Sequence, residues 1–147
     1  MPGPKSPIRF ISTPWSGRVI KDFVYDDGGR VAAGYKDPAG DCVCRAVAIA
    51  SGRSYAEVRD RLRRGTGRVR HSKRRASPDN GIPVLKRWFI LLMEEFGFKF
   101  VAKGEIPDEG RIIVITRTHA FAVIDGIARD THMRCLADRR FGYWVKQ

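Results

Sequence analysis

The run from Gly40 to Gly52 constrains this chain more than any other stretch. Val43, Ala46, Val47, Ala48, Ile49 and Ala50 leave no polar face on a helix wound through them, so the segment reads as a buried helix rather than an amphipathic one. Asp41 stands where a side-chain N-cap accepts from free first-turn N–H groups. Gly52 stands where a left-handed residue stops a helix. Cys42 then falls in the first turn, at the positive end of the helix dipole, a setting that favours the thiolate and suits a nucleophile. Cys44 points ~200° away from Cys42 on such a helix and reads as core. The same divergence argues against zinc at Cys42 and Cys44, as does the lack of a second Cys-x-x-Cys or His-x-x-x-His pair. No cofactor is called for. A cysteine in an alanine-rich helix also reads simply as a small core residue, and that alternative stays open.

Along the chain, residues 1–16 are rich in Pro and Ser and read as a flexible arm anchored by Trp15. Residues 18–25 are β-prone, Asp26 to Gly29 signals a turn, and Arg30 to Tyr35 is expected to return as the second strand of a hairpin. Ser54 and Glu57 stand in capping-box spacing and start a helix from Tyr55 to about Arg64, with Tyr55, Val58 and Leu62 as its apolar stripe. A third helix is expected from Ile82 or Pro83 to Phe96, with Leu85, Trp88, Phe89, Leu92 and Phe96 inward. Strands are expected over 98–102, 111–116, 119–124, 127–131 and 141–145. Helices first and strands after predict an α+β domain over 17–147: a cysteine-bearing helix packed on an antiparallel sheet, with a basic insertion at about 59–80.

Asp125-Gly126 between two such strands is a strong two-residue hairpin signal. With those as turn residues, Ile124 faces Ile127, Phe121 faces Asp130 and His119 faces His132. His119 and Asp130 become diagonal neighbours about 7–8 Å apart at the backbone, close enough for a side-chain hydrogen bond. A carboxylate reaching an imidazole across two strands fixes the ring's tautomer and stabilises its charged form. A thiol at a helix start completes a Cys42–His119–Asp130 constellation, provided the helix and the hairpin meet. Cys135 has no evident role.

Gly40-Asp41-Cys42 with Arg45, Ala46, Ala48, Ala50, Gly52, Tyr55 and Val58 resembles the cysteine-helix motif of small papain-like cysteine peptidase-type proteins, frequent in phages and bacteria. His119 with Val123, Asp125-Gly126 and Asp130-Thr131 is similar to that family's histidine hairpin. The resemblance covers about 40–60 and 110–132. It implies a papain-like α+β fold, Cys42 as nucleophile, His119 as general base and then acid, and Asp130 as orienter. A peptide or acyl substrate follows. Such enzymes commonly use an upstream Gln at the oxyanion hole, whereas here the only Gln is Gln147 and the only Asn is Asn80. The hole then falls to the Cys42 backbone N–H with a second donor, and Asp41, Tyr35, Lys36 and His132 are the oxyanion or supporting candidates.

The formal net charge of +12 adds a separate expectation. Between Arg59 and Arg75 nine basic residues meet one acid, Asp60. That block is either a solvated face or a strip for nucleic acid or an acidic protein, with Arg68, Arg70, Lys73, Arg74 and Arg75 as its contacts. A basic, non-catalytic binding protein is therefore the alternative to a hydrolase. Three cysteines do not form a disulfide framework, and no run approaches the ~20 apolar residues of a membrane span. The first residues carry no apolar signal core. The expected setting is reducing and cytoplasmic, or a virion if the chain is phage-encoded.

Overall fold

The apolar run forms helix α1 over Cys42–Ser51, buried from Val43 to Ala50 and ended by Gly52 at φ 75°, whose N–H bonds the Ala48 carbonyl. This computed structural model describes residues 11–12, 19–36, 40–66, 82–102, 104–117, 119–133 and 140–147. Two further helices are α2 (Tyr55–Thr66) and α3 (Arg87–Glu95). The strands are β1 (Ile11–Ser12), β2 (Val19–Ile20), β3 (Asp22–Tyr25), β4 (Phe98–Val101), β5 (Arg111–Thr116), β6 (Ala120–Ile124), β7 (Ile127–Asp130) and β8 (Arg140–Lys146). Among the described residues no helix is long and apolar enough to cross a membrane.

The protein is of mixed α and β structure, organised on a six-stranded sheet of order β3-β7-β6-β5-β8-β4. β5 sits inside it and alternates between two cores. Ile113 and Ile115 face the helices, joining Val47, Leu62, Phe89, Met93, Ala120, Ala122 and Trp144. Ile112 and Val114 face the other way, joining Ile20, Ile106, Phe121, Val123, Ala128 and Tyr143. Helix α1 packs on β6 and β5, which brings its first residue to the end of the sheet where β6 begins and β7 ends.

The β6–β7 hairpin has the expected register, Ile124 opposite Ile127, Val123 opposite Ala128 and Ala122 opposite Arg129. Its turn residues Asp125 and Gly126 both take positive φ, 51° and 81°, as a two-residue primed turn requires. Helix α2 starts as its sequence specifies, with the Glu57 N–H bonding Ser54 Oγ at 3.1 Å, and buries Tyr55, Val58 and Leu62.

Several expectations are corrected. The sheet is mixed rather than antiparallel, because β3 lies parallel to β7. Arg30 to Tyr35 does not return as a strand. Asp26 Oδ1 accepts from the Gly28 N–H (2.8 Å), and Asp27 accepts from the Gly29 and Val31 N–H groups (2.9 and 3.0 Å). These side-chain-closed turns wind up the segment that a hairpin would have to extend. Helix α3 begins only at Arg87, because Lys86 is extended (ψ 144°) and its carbonyl takes the Ile90 N–H; Leu85 stays outside, 63% exposed. Of the N-terminal arm, Ile11 and Ser12 pair antiparallel with Ile20 and Val19. Trp15 and the rest of the arm, Cys135, and the insertion from residue 67 to 81 lie outside the described residues.

Candidate active site

Cys42 is the first residue of α1 and is half-buried, packed at the edge of the helical core. Cys44, two residues on, is wholly buried, as the helical geometry requires. His119 immediately precedes β6, where its carbonyl accepts from both the Thr116 N–H (2.8 Å) and Thr116 Oγ1 (3.1 Å). That double clasp holds the β5–β6 connection, and the His119 ring lies on Phe121 with centroids 6.3 Å apart.

Asp130 closes β7, and its side chain is 3% exposed. Its Oδ2 lies 2.6 Å from His119 Nε2. Cys42 is the ring's second partner, its sulfur taking a hydrogen bond that favours the protonated imidazole. Burial pulls the His119 ring downward, but the hydrogen bonds with Asp130 and Cys42, together with their charges, outweigh it and raise the ring from 6.5 to about 9. The ring therefore holds a second proton at neutral pH.

Behind this trio lies a buried ionic ladder. Arg45 donates from Nη1 to Asp130 Oδ1 (3.0 Å) and to Thr131 Oγ1 (2.6 Å), and from Nε to Asp41 Oδ1 (3.0 Å). Asp130 Oδ1 also accepts from the Thr131 N–H at 2.7 Å. Asp41 Oδ2 accepts from Arg30 Nη1 (2.8 Å) and from the Tyr55 hydroxyl (2.6 Å). Burial and that bond to Asp41 push the Tyr55 hydroxyl well above its ordinary range, so it stays a donor.

The expected supporting residues are distributed differently from the sequence reading. Asp41 does not cap α1 with its side chain. Two guanidinium groups outbid the first-turn N–H groups for its carboxylate, because charge-assisted bonds are roughly twice as strong as neutral ones. As an ionised acceptor it offers no donor to an oxyanion and serves as the anchor of Arg45 instead. The Tyr35 ring packs on Tyr55, centroids 5.6 Å apart, under the Arg59 guanidinium at 4.2 Å. Lys36 and His132 are exposed. Arg68, Arg70, Lys73, Arg74 and Arg75 lie outside the described residues.

The sequence alone assigned no site role to Arg30, Arg45 or Thr131, and placed Tyr55 only in the apolar stripe of its helix. One signal was available for Arg45: a guanidinium in an otherwise apolar helix needs a buried counter-charge, and Asp41 stands four residues before it. Among the described residues no group of three His, Cys, Asp or Glu side chains is placed to hold a metal ion. The arrangement sets a cysteine beside an imidazole, with a fixed carboxylate behind that ring.

Comparison with protein-family models, with curated proteins and with solved structures finds no match to this chain.

Proposed function

We propose that this protein is a cysteine hydrolase, a peptidase or amidase with a papain-like arrangement of Cys42, His119 and Asp130, acting through an acyl-enzyme. The observation that carries the reading is the His119 imidazole, held at 2.6 Å by the buried Asp130 carboxylate and partnered by Cys42. With the proton already on the His119 imidazolium, the Cys42 sulfur attacks the substrate carbonyl carbon as thiolate. His119 then protonates the leaving amine, and the thioester remains on Cys42. Water, deprotonated by His119, attacks the thioester, releasing the acid and restoring the Cys42 thiolate beside the His119 imidazolium. The backbone N–H of Cys42 lies in a first helical turn with no side-chain cap, and it is the donor proposed for the oxyanion.

The test is turnover of a panel of fluorogenic peptides and activated esters by the full chain. Cys42→Ala is expected to lower the rate by roughly 10³-fold or more, and an iodoacetamide-type probe is expected to label Cys42 well ahead of the buried Cys44. Turnover that survives Cys42→Ala unchanged ends the reading.

A second reading, a polyanion-binding protein, is favoured by the net charge of +12 and by Arg63 and Arg64, whose side chains stand 67% and 65% exposed on α2. It requires binding to DNA or RNA that weakens steeply with salt and is lost when Arg68, Arg70, Lys73, Arg74 and Arg75 are neutralised, whatever residue stands at position 42. Binding indifferent to salt excludes it.

A further inference from the structure

Arg45 is the one charged side chain in a helix that is otherwise apolar from Val43 to Ala50, and the residue is only 8% exposed. A buried guanidinium is not a source of stability: apolar side chains of similar volume commonly do as well or better. Its presence therefore calls for another account, which its bonds supply. One arm of the fork holds Asp130 Oδ1 and Thr131 Oγ1; the Nε holds Asp41 Oδ1. With Oδ1 also taking the Thr131 N–H, the Asp130 carboxylate is pinned on one side and turns only Oδ2 to His119 Nε2. Arg45 in turn cannot swing away, since Asp41 is itself held by Arg30 from the 26–34 turn and by Tyr55 from α2. Cys42 and Arg45 share a single helical turn, so the fork sets the carboxylate in fixed register with the sulfur.

We infer that Arg45 is a positioning residue, locking Asp130 to the helix that carries Cys42 so that His119 is held between carboxylate and thiol. The inference rests on the cysteine-hydrolase reading of the site. The charged and titratable groups involved are Asp130 on β7 and Cys42 on α1 facing His119, Arg45 facing Asp130, and Arg30 and Tyr55 facing Asp41. Without the fork, Asp130 is free to rotate from His119 while the burial that disfavours imidazolium remains. The proton on His119 then becomes easier to lose.

The test uses two readouts on the full chain, neither of which needs a substrate: NMR titration of His119 and the pH profile of Cys42 alkylation by iodoacetamide. Arg45→Met is expected to lower the His119 midpoint by about one pH unit or more and to move the low-pH arm of alkylation upward. Arg45→Lys, which retains the charge but not the fork, is expected to fall between the two. In an Asp130→Asn background, Arg45→Met is expected to change the alkylation rate by less than about twofold, since its target is already altered. Should Arg45→Met fail to fold, Arg45→Met with Asp41→Asn removes matched charges and reports the same quantities. A His119 midpoint that stays put or rises in these variants, or an equal effect with and without Asp130, overturns the inference and leaves the hydrolase reading standing. A wild-type Cys42 profile indifferent to His119→Ala removes the hydrolase reading, and the inference with it.

Discussion

Arginine–carboxylate pairs occur in two settings in this protein, with similar bonds and different consequences. On the outer face of α2 and just before it, Arg64 pairs with Asp60 and Arg53 with Glu57, the four side chains being 38% to 65% exposed. Behind Cys42, Arg45 joins Asp41 and Asp130 with exposures of 10% and 3%. Water solvates the first group whether or not the pairs form, so the pairs adjust to the helix. Burial leaves the second group little access to solvent, so the surrounding chain is held where these charges meet their partners. The outer pairs decorate an element that α2's apolar stripe already specifies; the inner ladder joins the 26–34 turn, α1, α2 and β7, which no single local rule would bring together.

Unpairing the inner ladder provides the largest test of that contrast. Asp41→Ala removes the carboxylate that Arg30 and Arg45 share and is expected to destabilise the fold by about 3–5 kcal/mol, read from urea denaturation. A loss below about 1 kcal/mol would put the ladder in the same class as the surface pairs.

An intermediate effect is expected from pH. His119 is raised to about 9 in the folded protein from an ordinary value of 6.5, so the folded state holds a proton that the unfolded state releases over that interval. The stabilisation is fully present below about pH 6.5 and is lost as pH rises through about 9, on the order of 1–3 kcal/mol. Melting temperature followed from pH 6 to 9.5 should fall more steeply in the wild type than in Asp130→Asn. Parallel curves would mean that the carboxylate does not hold the proton.

The smallest effect belongs to the outer face. Arg64→Ala is expected to change stability by no more than about 1 kcal/mol, and the difference should shrink in about 1 M salt, where charges are screened beyond about 3 Å. A larger, salt-insensitive loss would show that the α2 surface is not solvated in the way its exposure suggests.

Much of the scaffold could be read in advance where local chemistry leaves a single solution. Asp125-Gly126 accepts the left-handed angles of a tight turn, and the register of β6 on β7 follows from it. The unbroken apolar run Ile112 to Ile115 likewise specifies a strand, and the apolar composition of α1 a buried helix. Arg30 to Tyr35 misled because its β propensity competes with two aspartates that close turns on their own backbone. Leu85 misled because helical periodicity does not reveal that Lys86 is extended.

The candidate site divides in the same way. From hairpin register alone, Asp130 could be set within reach of His119, and Cys42 rather than Cys44 could be placed at the open end of its helix. Whether Asp41 caps that helix or serves an arginine could not be read. The choice depends on Arg30, eleven positions away, and on an Arg45 whose other partner lies eighty-five positions further on.

By itself, then, the amino-acid order determined the individual elements and the side chains each would offer, because backbone angles and periodicity act over a few residues. The packing of α1 on β6 decided the rest: that a thiol, an imidazole and a carboxylate converge, and that the buried Arg45 and the half-buried Arg30 brace them. Those pairings depend on where charges find partners once water is excluded, a condition that exists only after the chain has closed.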